Sequence, residues 1–202
     1  LWTHAVVAVG GLAALCLVVW TGIAVGVNVV SVDETLPPPT IELPVLGWEI
    51  PFQVTEPVTE SFTLAERVDP GVFASATFNL FAFGFFILAL ASLLSSLDRF
   101  RWRTVGVVMA IYVIQLVMYG LGQAADQLSW LQGLSFFNCY RPQKLTALVT
   151  DEGYSAPWGM MTAMPESNFP PLFYPMLLVV AGCLFYLAAA RVFTKRDLPA
   201  PV

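Results

Sequence analysis

Two long apolar runs joined by one short basic turn constrain this chain more than any other feature. The runs cover residues 72–97 and 104–125, and neither contains a charged residue. At about 1.5 Å per residue in a helix, each run is long enough to cross a hydrocarbon core of about 30 Å. Because a backbone in lipid must satisfy its own hydrogen bonds, both runs predict transmembrane helices. The turn at 98–103 is so short that the two helices must form an antiparallel hairpin.

The composition places the whole chain in a membrane. Of its 202 residues, 57% are hydrophobic and 11% are charged, whereas a soluble domain carries about 25% charged residues. The charges are also segregated, because residues 31–71 hold eight acidic residues and only one basic residue, Arg67. The formal net charge of −5 therefore sums charges that lie on two sides of a membrane. We expect the lipid bilayer as a partner of the chain and no nucleic acid.

The predicted fold class is an all-α integral membrane protein with four transmembrane helices. All four belong to a single transmembrane domain of residues 1–202. The spans are predicted at about 5–29, 72–97, 104–126 and 172–193.

Basic residues predict the orientation of these helices, since positively charged loops resist translocation. These residues are Arg99, Arg101, Arg103, Arg191, Lys195 and Arg196. We therefore expect the turn 98–103 and the tail 194–202 in the cytoplasm. Four crossings then put both ends of the chain on the cytoplasmic side, which for a bacterial protein means a multi-pass position in the inner membrane.

The two remaining segments are predicted on the extracytoplasmic side. Residues 30–71 contain many prolines, which forbid a long helix and predict an irregular loop. Within this loop, residues 41–54 alternate between apolar and polar, which indicates short extended pieces. Residues 127–171 are amphipathic and aromatic, and predict short helices that lie in the outer interface or re-enter the membrane.

A polar stripe marks the third predicted span. Its members, spaced at steps of three or four residues, are Tyr112, Gln115, Tyr119, Gln123 and Asp126. A polar stripe in a membrane helix faces a bundle interior, a water-filled path or a partner. Two interpretations remain open for these side chains, either hydrogen bonding between helices or a substrate path or dimer seam. Asn79, the strongest polar group of the second span, is predicted to bond across to another helix.

The first span contains a small-xxx-small pattern at Gly22 and Gly26, which lets helices approach closely within one chain or in a dimer. Catalytic chemistry is harder to assemble from this sequence. The chain has one histidine, His4, its three cysteines have no metal-binding spacing, and it contains no Gly-x-x-x-x-Gly-Lys-Ser/Thr loop. We therefore expect no metal, no cofactor and no enzymatic activity in this chain itself.

Three stretches of the sequence carry a resemblance to a known family. Asn-Leu-Phe at 79–81 leads into Leu-Leu-Ser-Ser-Leu at 93–97 and the basic turn, Leu-Ser-Phe-Phe at 134–137 precedes Tyr-Arg-Pro at 140–142, and Lys-Arg-Asp-Leu ends the last span at 195–198. Together they resemble the membrane subunit of ABC-2 type transporters, the permeases that work with a separate ATP-binding cassette. The resemblance covers roughly residues 72–198.

The resemblance implies a permease subunit of an ATP-driven transporter. Its partners would be a second permease subunit and a cytoplasmic ATP-binding cassette subunit that hydrolyses the ATP. The family has six spans, of which this chain would show the last four. The third span here would lie near the dimer seam, with Tyr112, Gln115 and Tyr119 beside the substrate path. The alternative function is a non-catalytic structural or accessory subunit of a larger membrane complex.

Overall fold

The computed structural model describes residues 2–35, 40–43, 48–51, 59–98, 101–159 and 169–195. The α-helices in these ranges are α1 (Trp2–Val29), α2 (Ala74–Leu97), α3 (Arg101–Ala124), α4 (Trp130–Leu134), α5 (Pro142–Glu152) and α6 (Phe173–Lys195). Four of them, α1, α2, α3 and α6, are long and apolar enough to cross a membrane. The prediction of a helical protein with four such helices is confirmed at this level, and the chain is membrane-embedded.

The chain forms two compact units. One comprises Leu1–Trp20 together with Gly71–Val202, and the other comprises Thr21–Pro70. The first holds the helices α2 to α6 and most of α1. The second holds the last turns of α1 and all the described strands.

Two antiparallel ladders form where the sequence predicts an irregular loop, so that part of the prediction is corrected. Strand β1 (Ser31–Thr35) pairs with β4 (Thr59–Thr63), and β2 (Thr40–Leu43) pairs with β3 (Trp48–Pro51). Threonine, valine, isoleucine and aromatic residues supply the strand preference. Within the alternating stretch 41–54, the described residues therefore include two strands, and Pro51 is the last residue of β3.

Helices α2 and α6 pack closely and run in the same direction. Leu178 of α6 is buried with Ala82 and Phe86 of α2 in one apolar cluster. One turn further along α6, Gly182 lies so close to α2 that an added Cβ would be 2.7 Å from the ring of Phe85 and 3.5 Å from the Cα of Phe86. Glycine at position 182 therefore permits the close approach of the two backbones.

The first unit's part of α1 runs opposite to α2. A Cβ added to Gly84 would lie 2.7 Å from Cδ1 of Leu12, whereas Ala5 and Ala8 lie beside the later residues 88–96 of α2. The Gly22–Gly26 pattern lies in the other unit, where an added Cβ on either glycine meets no described atom within 4 Å. The described residues of that unit thus offer no packing partner for the pattern.

Helix α3 is antiparallel to α2, as the short turn requires. Asp98 at the end of α2 forms a salt bridge with Arg103 in the first turn of α3, at 3.5 Å. The third predicted span is corrected at its far end, because α3 stops at Ala124 and Asp126 begins a short 3-10 turn. Ala125 has an extended backbone (φ −140°, ψ 121°), which ends the helix and removes Asp126 from the polar stripe.

The start of the second predicted span also differs in detail. Residues Pro70–Phe73 form a 3-10 turn, and the α-helix begins only at Ala74. Taken with the helix directions, the first-unit contacts put the start of α1, the end of α2, the start of α3 and the end of α6 at one end of the bundle. The described basic residues of the turn and tail therefore lie at a common end.

Candidate functional site

The best-defined polar centre lies at the opposite end of the bundle, where residues 126–159 pack on α2 and α3. Asn79 of α2 is fully buried there. Its Nδ2 donates a hydrogen bond to the carbonyl oxygen of Cys139 at 3.1 Å, and its Oδ1 accepts one from the backbone N–H of Arg141 at 3.2 Å. One amide side chain therefore satisfies two backbone groups of a segment that has no regular ladder there.

Gln115 of α3 holds the same segment from the other side. Its Oε1 accepts a hydrogen bond from the backbone N–H of Phe136 at 3.2 Å, and its carbonyl oxygen accepts one from Oγ of Ser135 at 2.9 Å. The Oγ of Ser135 also accepts the N–H of Phe137 at 3.3 Å, which caps the 3-10 turn Phe136–Cys139. Residues 135–141 are thus fixed between α2 and α3 by side-chain amides and a buried hydroxyl.

Aromatic rings fill the space between these hydrogen bonds. Phe83 of α2 lies 5.8, 5.3 and 5.0 Å from the ring centroids of Phe136, Phe137 and Tyr140. Tyr112 packs edge-on against Phe137 with centroids 5.2 Å apart. Centroid distances of 4.5–7 Å are typical of favourable aromatic pairs. The cluster seals the amide network from the neighbouring helices.

The predicted site residues separate into two groups. Asn79, Tyr112, Gln115 and Tyr119 all contact residues 135–141, since Tyr119 lies 6.2 Å from the ring of Phe137. Gln123 is exposed, and its Nε2 donates to the hydroxyl oxygen of Tyr119 at 3.1 Å. The contacts recorded for the first four are therefore made within the chain, as the hydrogen-bonding interpretation of the stripe expects.

Sequence reasoning did not assign Ser135, Phe83, Phe137 or Arg141 to the site. The stretch 134–142 carried part of the family resemblance and lay within the predicted interfacial segment 127–171. A usable signal was present, because a serine ahead of two phenylalanines suits the cap of a short turn followed by a buried aromatic pair. The long-range bond from Asn79 to residue 139 had no signal in local spacing.

The basic residues predicted as topology determinants are only partly described. Arg103 is exposed and paired with Asp98, and Arg191 and Lys195 are exposed near the end of α6. Arg101 is the first residue of α3. The predictions for Arg99 and Arg196 lie outside the described residues.

Burial changes the acid–base properties of two groups beside Asn79. Desolvation raises the pKa of the Cys139 thiol, and the positive charge of Arg141 partly offsets this rise. Burial also raises the pKa of the Tyr140 hydroxyl, and the neighbouring Tyr112 adds to that rise. Both groups therefore stay protonated to a higher pH than they would in water, and serve as neutral packing groups.

A second feature is a groove of about 610 Å³ at the other end of the bundle. Alanine and serine side chains line most of it, together with Tyr186 and Phe193 of α6. The hydroxyls of Ser92 and Ser96 donate to the carbonyl oxygens of Leu88 and Leu93 of their own helix. The hydroxyl oxygen of Tyr186 is buried at this groove with no partner in the described residues.

Catalytic groups are sparse in both features. Among the described ranges, no three His, Cys, Asp or Glu side chains lie close enough to hold a metal ion. The described residues around Asn79 and Gln115 supply hydrogen bonds and aromatic surface, and these position residues 135–141.

The fold and this site define a class, a multi-pass membrane-embedded helical protein with an internally bonded 126–159 segment. Comparison with protein-family models, with curated proteins and with solved structures gives no match. The function must therefore be argued from the chain's own residues.

Proposed function

We propose that this chain is a membrane permease subunit of an ABC-2 type ATP-driven transporter. It would form the substrate path with a second permease subunit and depend on a cytoplasmic ATP-binding cassette subunit for ATP hydrolysis. In this proposal the chain itself is not an enzyme and carries no cofactor.

One observation supports this proposal most directly. Two parts of the family resemblance, Asn79 and the stretch 134–142, are about 60 residues apart in the sequence but meet in space. Asn79 bonds to the backbone of residues 139 and 141, so the two motif parts form one structural unit. A motif whose separate pieces build a common structure is less easily explained by chance similarity of apolar sequence.

The helix directions support the proposed orientation. The described basic residues of the turn and of the tail, Arg103, Arg191 and Lys195, lie at a common end of the bundle. Under the positive-inside rule this end is cytoplasmic. The proposal therefore places both ends of the chain inside a bacterial inner membrane, and the 126–159 segment outside.

Cysteine labelling tests this orientation. In a variant without the native cysteines, Arg103→Cys and Tyr154→Cys each introduce one thiol at an exposed position. We expect a membrane-impermeant maleimide to label position 154 in intact spheroplasts, and position 103 only in inverted vesicles. The reverse pattern would overturn the orientation and with it the permease proposal.

Native mass spectrometry of the chain purified from its own membranes tests the assembly. We expect two permease subunits with two nucleotide-binding subunits, and ATP hydrolysis in the purified complex. A complex without a nucleotide-binding subunit would contradict the proposal.

A specific observation favours the second candidate, a structural or accessory subunit. Tyr112, Gln115 and Tyr119 contact the chain's own residues 135–137, which leaves them less available to a substrate. Gln123→Leu separates the candidates, because this side chain is exposed and makes no recorded contact with the 126–159 segment. Loss of transport-coupled ATP hydrolysis with intact assembly supports the permease, and unchanged activity supports the accessory subunit.

A further inference from the structure

Arg141 is held in one orientation by four separate contacts. Its guanidinium carbon lies 4.6 Å from the ring centroid of Tyr174, in a cation–π arrangement. Its Nε donates to the carbonyl oxygen of Asn138 at 2.7 Å, its Nη2 donates to Oδ1 of the same residue, and its backbone N–H is bonded to Asn79. The charged group is therefore preorganised, with both its backbone and its planar end fixed.

This fixed charge has no counter-ion in the part of the chain that the structure describes. The salt bridges there are Arg67–Glu34 and Arg103–Asp98, and neither involves Arg141. The guanidinium stays charged at any physiological pH, and a partly buried charge is costly unless it is paired. The two N–H groups of its Nη1 and the second N–H group of its Nη2 have no acceptor among the described residues.

Acidic residues of the same helix are too far away to supply the missing charge. Arg141 immediately precedes α5, whereas Asp151 and Glu152 are at the opposite end of that 11-residue helix. At about 1.5 Å per residue this separation is roughly 15 Å, far beyond the N···O distance of about 4 Å that a salt bridge requires. Among the described residues, the arrangement thus presents a forked donor set with no ion-pair partner.

Exposed aromatic side chains indicate the depth at which this donor set lies. Trp130, Tyr154 and Trp158 of the same 126–159 segment are 60%, 54% and 44% exposed. Tryptophan and tyrosine concentrate at the level of the lipid headgroups. Trp158 also packs on Phe78 near the start of α2, with ring centroids 5.5 Å apart, which ties this level to the end of the bundle where Arg141 lies.

We propose that Arg141 binds the phosphate group of an anionic phospholipid headgroup. The unused guanidinium donors bond to two phosphate oxygens, a geometry that the planar fork matches better than an ammonium group does. Tyr174 and Asn138 keep the guanidinium group in place, so lipid binding requires little further loss of side-chain entropy in the protein. The site is independent of whether the chain transports a substrate.

Native mass spectrometry of the full chain, released from nanodiscs of defined lipid, tests the site. We expect the wild-type chain to retain phosphatidylglycerol in preference to phosphatidylcholine. Arg141→Gln should weaken this retention about tenfold, the loss expected for a charge-assisted hydrogen-bond pair. Arg141→Lys should give an intermediate value, because it keeps the charge and loses the fork. Arg67→Gln, which removes an arginine already paired with Glu34, should retain the lipid as the wild type does.

Three outcomes would overturn the proposal. Equal retention of both lipids by the wild-type chain would overturn it without the use of any variant. The test therefore remains valid even if Arg141→Gln misfolds. Unchanged phosphatidylglycerol retention in a folded Arg141→Gln chain would overturn it directly. The third is stabilisation of the chain by inorganic phosphate in phosphatidylcholine nanodiscs with no preference for phosphatidylglycerol, which would assign the site to a free anion.

Discussion

Helices α2 and α3 are similar in length and apolar character, yet they are used very differently. In their most apolar windows, 22% of α2 is buried and only 6% of α3. Helix α2 packs on α6 and α5 as well as on residues 135–141. Helix α3 contacts the 126–159 segment along one face, and its opposite face is exposed among the described residues.

The difference teaches that apolar character and packing are separate properties of a membrane helix. Hydropathy decides whether a helix resides in lipid, because lipid tails solvate leucine and valine as well as another helix does. Packing depends on shape and on polar partners. Helix α2 has both, since Ala82 and Ala89 are fully buried small residues and Asn79 is a buried amide. The open face of α3 has neither kind of partner among the described residues.

The largest effect is expected when Asn79 is replaced by leucine, because the buried amide of this residue is the main polar contact that distinguishes α2 from α3. Asn79→Leu leaves the carbonyl of Cys139 and the N–H of Arg141 without partners, which we expect to cost about 2–5 kcal/mol in the free energy of unfolding. Titration with SDS in mixed micelles measures this. The control is Asn28→Leu, an exposed asparagine bonded only to Ala24 of its own helix, with an expected change below about 0.5 kcal/mol. Equal effects at both positions would contradict the anchoring role.

Gly182→Val tests the close approach of α6 to α2. The new side chain must displace the ring of Phe85, so we expect a loss of about 1–3 kcal/mol in the same titration. Gly106→Val on α3 is the matched control, because an added Cβ there meets no described atom within 4 Å. Its effect should stay below about 1 kcal/mol, the range of helix propensity. A control as harmful as Gly182→Val would mean that α3 has a partner in the assembly.

Gln115→Leu tests whether α3 helps to hold the 126–159 segment. It leaves the N–H of Phe136 unpaired, with an expected loss of about 1–2 kcal/mol and faster proteolysis within 126–159. Gln123→Leu carries the same change in an exposed position and should be neutral to within about 0.5 kcal/mol. If the two variants unfold alike, Gln115 does not hold the segment.

The smallest effect is expected on the open face of α3. Val117 is 52% exposed, so Val117→Ala removes little buried apolar surface. We expect a change within about 0.5 kcal/mol for the chain in detergent. Comparing the detergent-solubilised chain with the membrane-extracted assembly extends this test. A larger effect in the assembly would show that a partner covers this face.

The sequence predicts the long helices well because their signal is local. A run of more than 20 uncharged residues needs no tertiary information to be recognised as a membrane helix. Helix direction followed from turn length and charge, and the contacts of Leu178, Gly182 and Leu12 agree with the expected alternation of direction.

The parts that sequence reasoning missed depend on distant partners. The bond from Asn79 to Cys139 links residues that no periodicity connects. The pairing of residues 31–35 with residues 59–63 was not predicted, because the prolines between the two strands suggest a loop. Pairing is a property of two strands together, which one segment alone does not reveal. Spacing places Tyr112, Gln115 and Tyr119 on one face of α3, and the extended backbone at Ala125 removes Asp126 from it. Spacing alone could not identify residues 135–137 as the part of the chain that this face contacts.

The amide of Asn79 has a mechanical consequence. It joins α2 to the backbone of residues 139 and 141, while Gln115 joins α3 to residue 136, so the two helices are clamped to one rigid connector. Separating α2 from α3 at this connector would break several partly buried hydrogen bonds at once. The groove beside Ser92 and Ser96 lies between α2 and the helices α1 and α6, so it can widen without breaking any of these bonds while α2 and α3 stay joined.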